Sequence, residues 1–278
     1  MNNRFILIIP KNYGILVKKL LGVEKMDDIF DLTGKYALVV GASSGLGKQF
    51  AKALARFGAN VAVSARRVEK LEELKEEIEE MGVKCIAVPC DVSDEDSILK
   101  CVDAVMDEFG RIDILCNNAG IDIFNDLFTF TTEMWDATMD TNIRGMFLMS
   151  REVGKIMKEQ ESGKIINTAS IGGRFASEGN IAYYASKGAV INFTRGLAAD
   201  LAPYNVNVNA IAPGVFETEL TRDSFETDFG KESLARIPFK RPGRDGDLDG
   251  ILIYFASDAS NYCTGQTIFI DGGSTMIL

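Results

Sequence analysis

Histidine is absent from all 278 residues. That removes the side chain most used for proton transfer near neutral pH, and with it the commonest ligand of a protein-bound zinc. The five cysteines, at 85, 90, 101, 116 and 263, include no C-x-x-C pair, and an odd number cannot all be bridged. No metal site or disulfide framework is expected from them. They read instead as reduced, mostly buried small hydrophobes of a cytoplasmic protein. Positive charge is in deficit: 30 Lys and Arg stand against 40 Asp and Glu, a net charge of −10. Such a balance excludes a nucleic-acid surface or an anionic membrane surface. Long apolar runs are missing as well. Phe5 to Ile9 is broken after five residues by Pro10, Lys11 and Asn12, too short for a membrane span or the core of an export signal. No repeat or low-complexity stretch interrupts the chain.

The composition present is that of a folded enzyme-sized domain. With 46% hydrophobic residues, the chain can bury a sizeable core in one α/β domain. Apolar runs at Tyr36–Val40, Val61–Ser64, Cys85–Val88, Ile112–Cys116, Lys164–Thr168, Val206–Ile211 and Thr267–Ile270 predict seven strands, with helical periodicity between most of them. Between the second and third strands, Val68, Leu71, Leu74, Ile78 and Met81 mark one helix face, and seven glutamates mark a solvated one. Repeated strand–helix–strand units imply a doubly wound seven-stranded parallel sheet with helices on both faces, a single-domain Rossmann fold. Ligands of such sheets bind beyond the carboxyl ends of the strands, and Gly41, Asn118, Ser170 and Pro213 all fall at predicted strand ends.

Three side chains supply acid/base chemistry without histidine. Tyr183 follows Ser170 by thirteen residues and Lys187 follows by four more. Positions four apart share a helix face, which places Lys187 beside the Tyr183 phenol. An ammonium there favours the phenolate; a shift from about 10 toward neutrality requires about 4 kcal/mol. A tyrosine tuned in this way exchanges a proton with an alcohol/ketone pair. Tyr184 is a competitor, but it lies only three residues from Lys187. Upstream, Tyr36–Val40 runs into Gly41-Ala42-Ser43-Ser44-Gly45-Leu46-Gly47 and then a helical pattern through Phe50, Leu54 and Phe57. Glycines in this strand–turn–helix setting let the backbone approach a pyrophosphate, which is held by the amides at the helix start. The spacing is G-x-x-x-G-x-G rather than the commoner G-x-G-x-x-G.

That glycine turn, Asn117-Asn118-Ala119-Gly120, Asn142, Ser170, Tyr183-x-x-x-Lys187 and Pro213-Gly214 together resemble the short-chain dehydrogenase/reductase family, in order and in spacing, from about Asp31 to the C-terminus. Among its members, the resemblance extends to β-ketoacyl reductases, gluconate 5-dehydrogenases and hydroxysteroid dehydrogenases. It implies that Tyr183 is the catalytic acid/base, that Ser170 orients the substrate oxygen, that Lys187 holds the nicotinamide ribose and lowers the Tyr183 pKa, and that Asn142 positions a water of the proton relay. It further implies dinucleotide contacts from Gly41, Ser43, Ser44, Gly45, Leu46 and Gly47, from Asp91 and Val92 near the adenine, from Asn118, Ala119 and Gly120, and from Pro213, Gly214, Val215 and Thr218 near the carboxamide. Val40 departs from the family, which usually has threonine just before the first glycine.

Cofactor preference follows from the end of the second strand, Ser64-Ala65-Arg66-Arg67. No carboxylate is present there to bind an NAD ribose, whereas Arg66 or Arg67, with Ser64, suits a 2′-phosphate. NADP(H) is therefore the expected cofactor, with NAD(H) as the alternative. Residues 214–244 are expected to form a lid over a small-molecule substrate, and Phe216, Leu220, Phe225, Phe229, Leu234 and Phe239 give it an apolar character. A hydroxysteroid or bile acid and a β-ketoacyl thioester suit this character; Gly214-Val215-Phe216-x-Thr218-Glu219-Leu220 is also similar to sugar-acid dehydrogenases of the gluconate type. A non-catalytic dinucleotide sensor or scaffold is the reading of another class. Residues 31–278 are read as the catalytic domain, and 1–30 as an extension for which an upstream start, a subunit contact and a short helix over 16–21 all stay open. The resemblance also implies a homotetramer.

Overall fold

The computed structural model describes residues 29–217, 225 and 227–276. The expectations for the N-terminal extension through residue 28, for Thr218 and for part of the lid lie outside the described residues. Seven strands form one parallel sheet in the order β3-β2-β1-β4-β5-β6-β7. They are β1 (Tyr36–Val40), β2 (Asn60–Ala65), β3 (Cys85–Pro89), β4 (Ile114–Asn117), β5 (Gly163–Thr168), β6 (Val206–Pro213) and β7 (Thr267–Ile270). The fourth strand begins two residues later than its apolar run predicts, because Asp113 is used otherwise: its carboxylate accepts from the Tyr36 amide at 2.9 Å and pairs with Arg111.

Both faces are covered. In β1, Ala37 and Val39 point into a core built with α1 (Gly45–Arg56), α2 (Val68–Glu79) and the late α8 (Asp249–Ala256), whereas Leu38 and Val40 enter a second core with α3 (Glu95–Phe109) and α5 (Gly145–Gln160). A strand buried on both sides is near-continuously apolar, and Leu38, Val39 and Val40 are all buried. Helix α2 buries Leu71, Leu74 and Ile78 and leaves most of its glutamates in solvent. Asp94 caps α3 by accepting from the Asp96 amide, and Gly110 ends that helix with φ of +71°, where a glycine costs least.

Strand order reverses between β1 and β4, so their connections leave on opposite sides and open a crevice at the carboxyl edge. Register brings the site-bearing ends level: Val40 pairs with Asn117, Asn117 with Asn167, and Thr168 with Ile211. The remaining elements complete the edge. Helix α4 (Thr132–Met139) continues through a π-helical turn (Asp140–Arg144) into α5, the 21-residue α6 (Ile181–Leu201) carries the tyrosine and lysine, and α7 (Asp228–Arg236) lies within the span expected to form a lid.

Candidate active site

Between β1 and β4 the glycine turn forms one wall of a cleft of about 460 Å³, which Arg66, Asp91, Asn118 and Ile121 also line. The turn is tight because the amides of Gly41 and Ala42 both donate to the Ser64 carbonyl, at 2.7 and 3.0 Å. Gly41 has φ of +81°, and a Cβ there would lie 2.7 Å from the Ala119 backbone. At Gly47 a Cβ would lie 2.2 Å from the Gly41 carbonyl oxygen. The start of α1 has no side-chain cap, so its first amides are donors directed at whatever anion enters the turn. These features fit a dinucleotide pyrophosphate.

The two arginines divide their work. Arg67 donates to Ser43 Oγ at 3.0 Å and to Ser44 Oγ at 2.7 Å, and so braces the glycine turn. Arg66 makes no hydrogen bond among the described residues; it lines the cleft and acts on Asp91. Burial alone would push the Asp91 carboxyl up, but hydrogen bonds from Ser93 and the charge of Arg66 hold it below its ordinary value. Ser64 does not behave as expected. Its side chain is fully buried, with Oγ 3.3 Å from Cys101 Sγ, and it serves the turn through its carbonyl only. Asn118 is a strut: its amide donates to the Gly41 carbonyl at 3.1 Å and its carbonyl accepts from Thr168 Oγ1 at 3.2 Å. Pro213, Gly214 and Val215 lie at the end of β6. Gly214 donates to the Ile270 carbonyl, and Val215 lines a separate pocket of about 150 Å³ with Phe216, Phe239 and Arg241 rather than the main cleft.

The four candidate catalytic side chains converge. Ser170 follows β5 and accepts from the Gly172 amide at 3.0 Å. Tyr183, in the first turn of α6, has Ser170 as the neighbouring hydroxyl that favours its phenolate. One turn later Lys187, only 4% exposed, donates to the Thr168 carbonyl at 2.8 Å, with Nζ 5.6 Å from the centre of the Tyr183 ring. Asn142 occupies the π-helical turn, a wide turn that often marks functional sites. Its amide is fully used: Oδ1 accepts from the Ile121 amide at 2.8 Å, and Nδ2 donates to the Ile121 carbonyl at 2.8 Å and to Ser186 Oγ at 3.0 Å. Ser186 in turn donates to the Tyr183 carbonyl at 2.7 Å. Tyr184 is occupied elsewhere, its hydroxyl 2.6 Å from Ser177 Oγ.

Electrostatics in this cluster differ from expectation in one respect. Burial pushes the Tyr183 phenol above its ordinary value; the Ser170 hydroxyl pulls it back, while Asp122 and Tyr184 add to the rise. Burial also lowers Lys187 to about 8, against which Asp122 acts. The expected depression of the Tyr183 pKa by Lys187 does not appear: Ser170 is the group that lowers it, and the cost of desolvating a phenolate prevails. The phenol is held in its protonated, proton-donating form at neutral pH.

Several contributors escaped the motif pattern. Asn117 donates to Ser150 Oγ at 2.9 Å and to Asn167 Oδ1 at 3.0 Å, and Asn167 donates to Thr194 Oγ1 at 3.0 Å, a buried network through β4, β5, α5 and α6. Asn117 figured in the sequence only as part of its motif; for Asn167 the available signal was an asparagine inside an apolar run, since asparagine is depleted in strands. Asp122 and Asn180 carried none. The four cysteines at 85, 90, 101 and 116 are buried and all five are free. Among the described residues no group of acidic residues or cysteines is arranged to hold a metal ion, and no helix is long and apolar enough to cross a membrane.

A doubly wound parallel sheet with this edge and this proton-transfer cluster defines an oxidoreductase of the Rossmann class. Comparison with known proteins narrows it. The family model described as Enoyl-(Acyl carrier protein) reductase matches residues 41–275. Gluconate 5-dehydrogenase of Gluconobacter oxydans is 38% identical over 252 residues, covering 90% of this chain and 98% of that protein. The 3-oxoacyl-[acyl-carrier-protein] reductase of Staphylococcus aureus is 39% identical over 243 residues, covering 87% and 98%. The crystal structure of a gluconate 5-dehydrogenase from Burkholderia cenocepacia in complex with NADP and tartrate superposes with a TM-score of 0.86 at 36% identity, covering 90% of this chain and 99% of that one. The chain belongs to the short-chain dehydrogenase/reductase family.

One substitution tests the turn itself. Gly47→Ala forces a Cβ against backbone that cannot rotate away, so it should cost about 1–3 kcal/mol and abolish dinucleotide binding. A melting curve and a dinucleotide fluorescence titration check both; an unchanged Tm with normal binding contradicts the packing described.

Proposed function

We propose that this protein interconverts a secondary alcohol and a ketone with NADP(H), using Tyr183 as acid/base. The observation that carries this reading is the Tyr183 phenol beside Ser170, with Lys187 Nζ 5.6 Å from the centre of its ring. The bound dinucleotide supplies or accepts the hydride. In the reducing direction Ser170 and Tyr183 hold the carbonyl oxygen and Tyr183 passes its proton to that oxygen; in oxidation the Tyr183 phenolate takes the proton from the alcohol oxygen. Lys187 offsets the charge of the phenolate left behind, and Asn142 keeps Ile121 and the first turns of α6 in register through Ser186.

Residues 31–278 act in this reading as one catalytic domain, with 214–244 as its lid. The substrate is a small apolar or amphipathic carbonyl compound, of the hydroxysteroid or β-ketoacyl thioester kind. Supporting this are the apolar side chains of the loops beside the site: Phe124 is 73% exposed, Phe128 92%, and Leu127 and Phe175 are exposed too. A sugar acid is the second reading, favoured by the likeness to gluconate 5-dehydrogenases. The preference for NADP(H) over NAD(H) rests on Arg66, uncommitted at the cleft wall, and agrees with the NADP in the Burkholderia relative. We place the protein in the cytoplasm, as its free cysteines suggest. We further propose a homotetramer, to which exposed Phe147 on α5, Ile181 on α6 and Ile268 on β7 contribute apolar contacts.

Tyr183→Phe removes only the transferable proton and should lower kcat on a ketone panel by about 10²–10⁴-fold while dinucleotide affinity holds. Lys187→Ala should impair both. Substantial turnover by the Tyr183 variant ends this reading, and a wild type that binds NADPH but reduces no ketone points to a sensor or scaffold instead. For the cofactor, Arg66→Ala should weaken NADPH by about tenfold to a hundredfold, the loss of a charge-assisted hydrogen bond, and hardly affect NADH; equal weakening of both contradicts the 2′-phosphate role. Light scattering should give four times the mass of one chain, and a monomer at micromolar concentration refutes the assembly.

A further inference from the structure

Asp122 follows Ile121, whose amide and carbonyl are both held by Asn142. Its two carboxylate oxygens each accept from the Asn180 side-chain amide at 2.7 Å. Asn180 immediately precedes α6, three residues before Tyr183. The neighbouring Asn125 amide donates to the Gly179 carbonyl at 2.8 Å, and the Phe124 ring lies over Gly179, which has φ of +89° and no side chain to obstruct it. The loop after β4 and the loop before α6 are therefore clasped at the entrance to the proton-transfer site. Asp122 is exposed there and has no cationic partner in contact among the described residues. Its field nevertheless reaches Tyr183 and Lys187.

A clasp alone does not explain a carboxylate at this position. An asparagine could accept from Asn180 through its side-chain carbonyl and close the same two loops. A negative charge beside a tyrosine that must at times become phenolate works against the acid/base step. That electrostatic cost points to a use for the charge outside the protein.

We propose that Asp122, held by Asn180, is a specificity-determining residue that admits neutral or cationic carbonyl compounds and rejects those bearing a carboxylate or phosphate close to the reacting carbon. This deepens the alcohol/ketone reading of the Tyr183 site and rests on it. The selection is electrostatic: an anion near the carbonyl meets an unneutralised like charge in a partly desolvated entrance, whereas an ammonium group finds an acceptor. Sugar acids are thereby disfavoured, and long thioesters remain admissible because their phosphates lie far from the keto group.

The test uses three ketones of one skeleton, 4-oxocyclohexanecarboxylate, its methyl ester and 4-aminocyclohexanone in its protonated form. Calorimetry measures their binding to the full-length protein with NADP⁺, which has no hydride to give a ketone, for the wild type, Asp122→Asn and Asn180→Ala. The wild type should bind the carboxylate least. Asp122→Asn should raise the carboxylate-to-ester affinity ratio by roughly three- to tenfold and lower the ammonium-to-ester ratio by a similar factor, and both changes should shrink in 0.5 M salt, roughly where screening acts within a few ångströms. Asn180→Ala keeps the charge, so the order of preference should survive even where all three affinities fall. The proposal is overturned if the three ligands shift together in Asp122→Asn, if the wild type prefers the carboxylate, or if it binds none of them. Failure of the underlying reading looks different: ester turnover that survives Tyr183→Phe removes the acid/base assignment and leaves the binding ratios as they are.

Discussion

Two asparagines stand side by side in the middle of an otherwise apolar sheet, and the active-site edge depends on them. Asn117 on β4 and Asn167 on β5 are register partners and hydrogen-bond to each other, and each reaches one further helix, through Ser150 on α5 and Thr194 on α6. All four side chains are buried. A buried amide left without partners is costly, so the network tolerates little sliding of α5 or α6 over the sheet. That restriction is what lets Tyr183 and Lys187, on α6, meet Ser170 and Thr168 at the end of β5.

Backbone contact gives similar rigidity on the cofactor side. Gly41 lies against the Ala119 backbone and Gly47 against the Gly41 carbonyl, closer than any side chain would allow. Asn118 then joins the glycine turn to Thr168. The dinucleotide cleft and the proton-transfer cluster are thus built on one continuous chain of contacts, from β1 through β4 to β5. Val40, which replaces the family's usual threonine, still keeps the turn attached, because its carbonyl accepts from the Asn118 amide at 3.1 Å.

The chemistry of the site follows from burial more than from pairing. Lys187 is enclosed and its ammonium is held by a carbonyl rather than a carboxylate, so its pKa falls to about 8, and Tyr183 is raised for the same reason. A protonated phenol next to a weakly solvated cation suits donation to a carbonyl oxygen. Asp122 is the one carboxylate whose charge is felt by both groups, and its position at the entrance connects the electronics of the catalytic pair with the charge of the molecule arriving there.

Much of this was legible in the residues alone. The parallel sheet followed from apolar runs alternating with helical periodicity, since strands buried on both faces are apolar at most positions. Tyr183 beside Lys187 was legible because a helix turn sets their spacing, whereas Asn142 and the role of Ser170 came with the resemblance to the family's motifs. The bridges between distant segments were not legible. Whether Arg66 or Arg67 faces the cleft, that Ser64 turns to Cys101, and that Asp122 clasps Asn180 across 58 positions depend on side-chain directions that no periodicity encodes. The direction of the Tyr183 shift was hidden for the same reason. Proximity of Lys187 was readable from a four-residue spacing, but desolvation depends on every element that packs around the phenol, and only the assembled fold decides how much water remains there.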